Sequence, residues 1–88
     1  MEEYKKIAAR HLLNMFGEDW IHENKKDICT VFYDGELSVR IVFCLVSMLP
    51  SEEYIIDNKD SNYQPEGSIS FDINKKDKSC KVFRNLFP

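Results

Sequence analysis

Two histidines, three cysteines and several adjacent acid pairs are the side chains of this 88-residue chain that could do chemistry. His11 lies toward the apolar side of a helical pattern, with no Cys, Asp or Glu four residues away. A metal site needs convergent ligands, so His11 reads as a structural histidine. His22, in Asp19-Trp-Ile-His-Glu23, has carboxylates nearby but not the spacing of a ligand set. Cys29, Cys44 and Cys80 lie in apolar, strand-like runs. An odd count without a C-x-x-C pair fits neither a disulfide framework nor a zinc knuckle, and predicts buried, reduced thiols. The pairs Glu2/Glu3, Glu18/Asp19 and Glu52/Glu53 fall in polar segments. Acid–base catalysis needs two carboxyls in different environments within a cleft, which adjacent solvated residues do not supply. Ser38, Ser47, Ser51, Ser68 and Ser70 stand in no nucleophile-elbow context. Gly17, Gly35 and Gly67 punctuate elements and form no phosphate-cradling loop. The expectation is a non-enzymatic protein without metal or cofactor.

The strongest binding signal is a charged connection. Between Pro50 and Glu66 stand five acids and one base, a net of −4, so the remainder of a chain of net charge −3 is +1. Glu52, Glu53, Asp57, Asp60 and Glu66 are interleaved there with Tyr54 and Tyr63. Tyrosine anchors among charges suit a protein interface, where charge speeds encounter and the ring supplies buried area. These seven residues are the candidate partner-binding site. The second candidate surface is the other face of the sheet, around Tyr33, Arg40, Val42 and Phe83. Lys75, Lys76, Lys78, Lys81 and Arg84 form a small basic cluster that reads as a solvated turn.

A pI near 5.3 argues against direct, sequence-independent nucleic-acid binding. The start, Met1-Glu-Glu-Tyr-Lys-Lys, carries no secretory h-region, and the longest apolar run, Ile41 to Leu49, is short of the ~20 residues that span a bilayer. With its cysteine usage, this predicts a cytoplasmic protein with a protein partner, itself monomer or homodimer. The length predicts one α+β domain over residues 1–88.

The elements that must position these residues follow from periodicity. Tyr4, Ile7, Ala8, Leu12, Met15 and Phe16 share one face of a helix over 2–16, with Gly17 as a left-handed stop. A polar connection follows, with Trp20 and Ile21 folding back onto the core. Asp34-Gly35 between two β-prone runs predicts a hairpin with a type I′ turn, pairing Tyr33 with Glu36, Phe32 with Leu37, Thr30 with Val39 and Ile28 with Ile41. The second strand is apolar on both faces in its later half, reaches toward Met48, and is therefore expected to be central. Ile69, Phe71 and Ile73 alternate with Ser68, Ser70 and Asp72 as a half-buried strand. A last strand puts Cys80, Val82 and Leu86 on one face, with Phe83 and Phe87 on the other. The expected architecture is an N-terminal helix packed on a four-stranded antiparallel meander, across Ile28, Phe32, Leu37, Val39, Ile41, Phe71 and Val82.

Two stretches, Ile7-Ala-Ala-Arg-His-Leu-Leu-Asn-Met-Phe-Gly17 and Gly67-Ser-Ile-Ser-Phe-Asp-Ile-Asn-Lys-Lys-Asp77, resemble the small NTF2-fold (cystatin-like) immunity proteins of bacterial polymorphic-toxin systems. That family has a similar helix closing in an aromatic-glycine pair, and a late strand entering a lysine-rich turn. This chain departs from the pattern with a single Gly67 where a glycine pair is more usual, and with Lys78 where the turn often has glycine. The resemblance implies a cystatin-like two-layer sandwich that binds and neutralises a cognate toxin in the cytosol, without catalysis. It assigns no binding residues. The alternatives are a phage-encoded anti-defence inhibitor (anti-CRISPR-like), whose partner would be a nuclease or defence effector, or another small adaptor. An enzyme or ligand-binding member of a cone-shaped α+β fold is the third reading.

Overall fold

Helix α1 (Glu2–Phe16) carries Glu2 and Glu3 in its first turn, where acidic side chains complement the helix dipole. A computed structural model describes the chain over residues 1–49 and 62–88. Ala8 and Leu12 are the fully buried residues of α1, while Met15, expected on the same face, is exposed. Gly17 ends the helix, its N–H donating to the Leu13 carbonyl at 2.8 Å. Its φ of +88° requires glycine, but its ψ of 164° is extended, so this is not the expected left-handed stop. The chain swings directly into α2 (Glu18–Asn24), a helix where only a polar connection was expected. Trp20 on α2 stacks on Phe16, with ring centroids 4.8 Å apart, and both rings meet Phe87. Phe87 therefore lies on the helix side, not with Phe83 on the opposite face.

Strands β1 (Ile28–Asp34), β2 (Ser38–Leu45), β3 (Ser68–Asn74) and β4 (Cys80–Asn85) pair antiparallel in sequence order. The helix-on-meander α+β architecture is as the pattern predicts, with β2 central. Its first hairpin differs in register. Ile28 pairs with Leu45, Thr30 with Phe43, Phe32 with Ile41 and Asp34 with Val39. The turn has moved two residues along, to Glu36–Leu37, closed by the Gly35 N–H on the Ser38 carbonyl at 3.0 Å. Positive φ among the described residues occurs only at Gly17, Gly67 and Lys78, so Asp34-Gly35 does not form the expected type I′ turn. Contacts with the next turn favour the longer pairing. Lys75 forms an ion pair with Asp34 at 2.6 Å and donates its N–H to the Leu37 carbonyl. The register shift is an even number of residues, so every side chain keeps its expected face.

The core under α1 consists of Val39, Ile41, Phe43, Ile69, Phe71 and Ile73 with Ala8 and Leu12. Burying each large side chain contributes ~1.5–3 kcal/mol. Of the expected core residues, Phe32 and Leu37 are instead 53% and 78% exposed, and Val82 is exposed as well. Phe32 and Val82 sit on the two edge strands and Leu37 at the hairpin tip, where α1 covers them only in part or not at all. Strand β2 stops at Leu45, short of Met48, and a 3-10 turn (Val46–Met48) follows. Asp27 fixes it: its carbonyl accepts the Val46 N–H, and its carboxylate accepts both the N–H and the hydroxyl of Ser47.

Candidate functional site

The described end of the acidic connection is a short irregular segment from Asn62 to Gly67 that is fastened to the face of the sheet opposite α1. Gln64 does most of the fastening. Its side-chain oxygen accepts the Ser70 hydroxyl at 2.7 Å, and its Nε2 donates to the Arg84 carbonyl at 2.9 Å. The Ser68 hydroxyl donates to the Pro65 carbonyl at 2.5 Å. Ser68 and Ser70 are thus fully buried, although their alternation had predicted an exposed polar face. Gly67 completes the junction. Its φ is +75°, and a Cβ there would lie 2.6 Å from the Cβ of Met48, so no other residue fits.

This anchored segment presents two of the seven candidate binding residues outward. Tyr63 is 45% exposed and Glu66 is exposed. Glu52, Glu53, Tyr54, Asp57 and Asp60 lie outside the described residues.

On the same face, the second candidate surface is organised around Arg40. Its guanidinium holds Asp72 in a two-pronged ion pair, with Nε–Oδ1 at 2.8 Å and Nη2–Oδ2 at 3.2 Å. The Phe83 ring lies 3.6 Å from the Arg40 guanidinium carbon and 5.4 Å from that of Arg84. A bulge delivers Phe83 there. Ser70 pairs with Arg84 and Phe71 with Val82, leaving Phe83 as the extra residue of β4. Of the four residues expected to cluster here, Phe83 is in contact with Arg40 and Tyr33 stands directly across from Arg40 on β1, while Val42 lies in an adjoining apolar patch that Tyr33 also packs against.

That patch holds a pair of thiols that the sequence reading missed, because it placed Cys29 opposite Arg40. In the observed register Cys29 faces Cys44 directly. Burial pushes the Cys44 thiol up to about 12, with the neighbouring Cys29 adding to the effect. Burial also raises Cys29, and raises Cys80 with help from the Asp72 carboxylate. All three are held as neutral thiols at neutral pH, the wrong state for nucleophilic attack. The signal for the pair was available in the sequence only to a reader who had the hairpin register.

The remaining candidates are dispersed. His11 is half-buried with its ring 5.6 Å from that of Phe71, and His22 is exposed on α2. No group of three or more metal-ligating side chains converges among the described residues. The basic cluster is partly committed within the fold. Lys75 holds Asp34, and Lys78 donates to the Tyr4 hydroxyl at 2.8 Å, which raises its own pKa. Asp77 is lowered because it accepts the Ser79 backbone N–H. No described helix is long and apolar enough to cross a membrane. The fold and surface define a small two-layer α+β protein with a charged, anchored connection. Comparison with family models, curated proteins and solved structures finds no match for the chain.

Proposed function

We propose that this protein is a non-catalytic, protein-binding inhibitor, an immunity protein that neutralises a cognate bacterial toxin in the cytoplasm through the acidic surface of residues 50–66. The observation that supports this reading most is the pinning of Gln64 and Pro65 onto β3 and β4, which leaves Tyr63 and Glu66 outward on a fixed base. An interface anchor gains from such pre-organisation, since less conformational freedom is lost on binding. The concentration of negative charge in the same connection suits a basic active site on a nuclease or similar toxin. The resemblance of the Ile7–Gly17 and Gly67–Asp77 stretches to immunity proteins points the same way.

The test begins with capture of the partner from the native host by the wild-type chain. Glu52→Lys with Glu53→Lys, or Asp57→Lys with Asp60→Lys, should slow association, and the wild-type complex should weaken as salt rises. Tyr63→Ala should speed dissociation, with a loss of ~2 kcal/mol if the ring is a buried anchor. Undiminished capture by both charge-reversal pairs at low salt would remove the acidic surface from consideration and leave the Arg40–Phe83 face as the place to look.

A further inference from the structure

The two outer strands of the sheet are finished very differently. Strand β4 has the features that discourage edge pairing: Lys81 and Arg84 within it, and a bulge at Phe83. Strand β1 has no bulge and only one charge, Asp34 at its last position. From Ile28 to Tyr33 it is uncharged, free of proline, rich in β-branched and aromatic residues, and paired with β2 in unbroken register. The bonds from Gly35 to Ser38 and from Val46 to Asp27 fix which residues bond inward. Antiparallel strands alternate, so Cys29, Val31 and Tyr33 bond to β2, while the backbone groups of Ile28, Thr30 and Phe32 point away from it. Those outward groups have no hydrogen-bond partner among the described residues.

The geometry points to β1 as a homodimerisation edge, on which a second copy of this chain pairs antiparallel, β1 to β1, to make a continuous eight-stranded sheet. Charge selects this occupant. Lys25, Lys26 and Asp27 precede the strand, with the Asp27 carboxylate taken up by Ser47, while Asp34, paired with Lys75, ends the strand and Glu36 follows it. Antiparallel pairing about Val31 sets Lys26 opposite the partner's Glu36 at each end, whereas parallel pairing would bring like charges together. The same register hydrogen-bonds Thr30 to the partner's Phe32. That ring then lands on the helix side, over a depression of about 110 Å³ lined by Met1, Thr30, Phe32 and Ile41, with Glu2 and Lys5 of α1 at its margin. The 53% exposure of Phe32 is thereby accounted for as interface area. This inference is independent of the acidic surface, which lies on other residues.

Sedimentation of the purified chain over a range of concentrations tests the idea, together with backbone amide exchange. Wild type should form a concentration-dependent dimer, and the Thr30 and Phe32 amides should gain protection only as it forms. Phe32→Lys should raise the dissociation constant by ~10-fold or more, since it buries a charge where an apolar ring stood. Lys26→Glu should weaken the dimer by up to ~5-fold, and adding Glu36→Lys should restore it, as expected for a solvent-exposed ion pair. Both positions are exposed, so thermal unfolding should confirm an intact monomer fold in each variant. A monomer at all concentrations overturns the proposal. So does a dimer that Phe32→Lys leaves unchanged, or an edge that takes up only a foreign strand. Failure of the double charge swap to recover the dimer overturns the antiparallel register.

Discussion

Beneath α1 the sheet presents Val39, Ile41, Phe43, Ile69, Phe71 and Ile73, all buried and all apolar. Across the same strands, the other face buries Ser68 and Ser70 just as completely, and each hydroxyl has a designated acceptor in the 62–67 segment. The first face is held by area, which is tolerant of small shifts in position. The second is held by direction, since a hydroxyl out of reach of its acceptor becomes an unsatisfied buried group. One face therefore supplies most of the stability. The other fixes where the acidic connection joins the sheet.

Substitutions can separate these two roles. Phe71→Ala on the apolar face should have the largest effect, ~3–5 kcal/mol in urea unfolding, as expected for truncation of a core aromatic ring. A loss below ~1 kcal/mol would mean that the ring is not central to that core. Ser70→Ala should cost ~1 kcal/mol, because it removes the hydroxyl that the part-buried Gln64 carbonyl oxygen accepts. It should also loosen residues 62–67, raising amide exchange there while β1–β2 exchange stays as in wild type. A uniform change in exchange would show that the two faces are not separable.

The thiol patch gives a pH test of the same contrast. Cys44 is raised in the folded state relative to the unfolded chain, so above about pH 9 the unfolded state loses its thiol proton first. Stability from this group is fully present below pH 9 and declines as pH rises toward 12, with a slope of at most ~1.4 kcal/mol per pH unit. Cys44→Ala should remove that component of the alkaline decline. An unchanged alkaline profile would mean that Cys44 is accessible in the native state. Lys78 offers the smallest effect. Its φ of +63° is unusual for a side-chain-bearing residue, and its Nζ reaches Tyr4 on α1. Lys78→Ala keeps the backbone strain and loses the contact, whereas Lys78→Gly relieves the strain. The glycine variant should be the more stable of the two by ~1 kcal/mol.

Much of the apolar face was legible in the sequence, because a helical repeat over 2–16 and alternation at 69–73 describe it without reference to distant residues. The other face was not. Ser68 and Ser70 looked exposed because their cover comes from Gln64 and Pro65, which carry no periodic signal. Helix α2 was missed because seven residues with four charged or amide neighbours propose no amphipathic stripe, and its stability depends on Phe16 and Phe87 stacking with Trp20. The hairpin slipped past the Asp-Gly signal because Lys75, forty residues on, holds both Asp34 and Leu37. Of the candidate site, the charge pattern was readable and the anchoring of Tyr63 and Glu66 was not, since that depends on side-chain hydrogen bonds across the sheet.

The order of the strands carries a kinetic consequence. Each strand pairs with its neighbour along the chain, so β1–β2 and β3–β4 are short hairpins that can close early. Among the strand pairings, the joining of β2 to β3 is the one that must bring together residues separated by the acidic connection. Chains dominated by local pairings fold quickly, and a single longer closure becomes the natural bottleneck. The entropic penalty of that closure grows only with the logarithm of its length, ~0.6 kcal/mol for each doubling. Lengthening the acidic connection should therefore slow refolding modestly while hardly altering the unfolding rate, which leaves this stretch open to evolutionary variation in length.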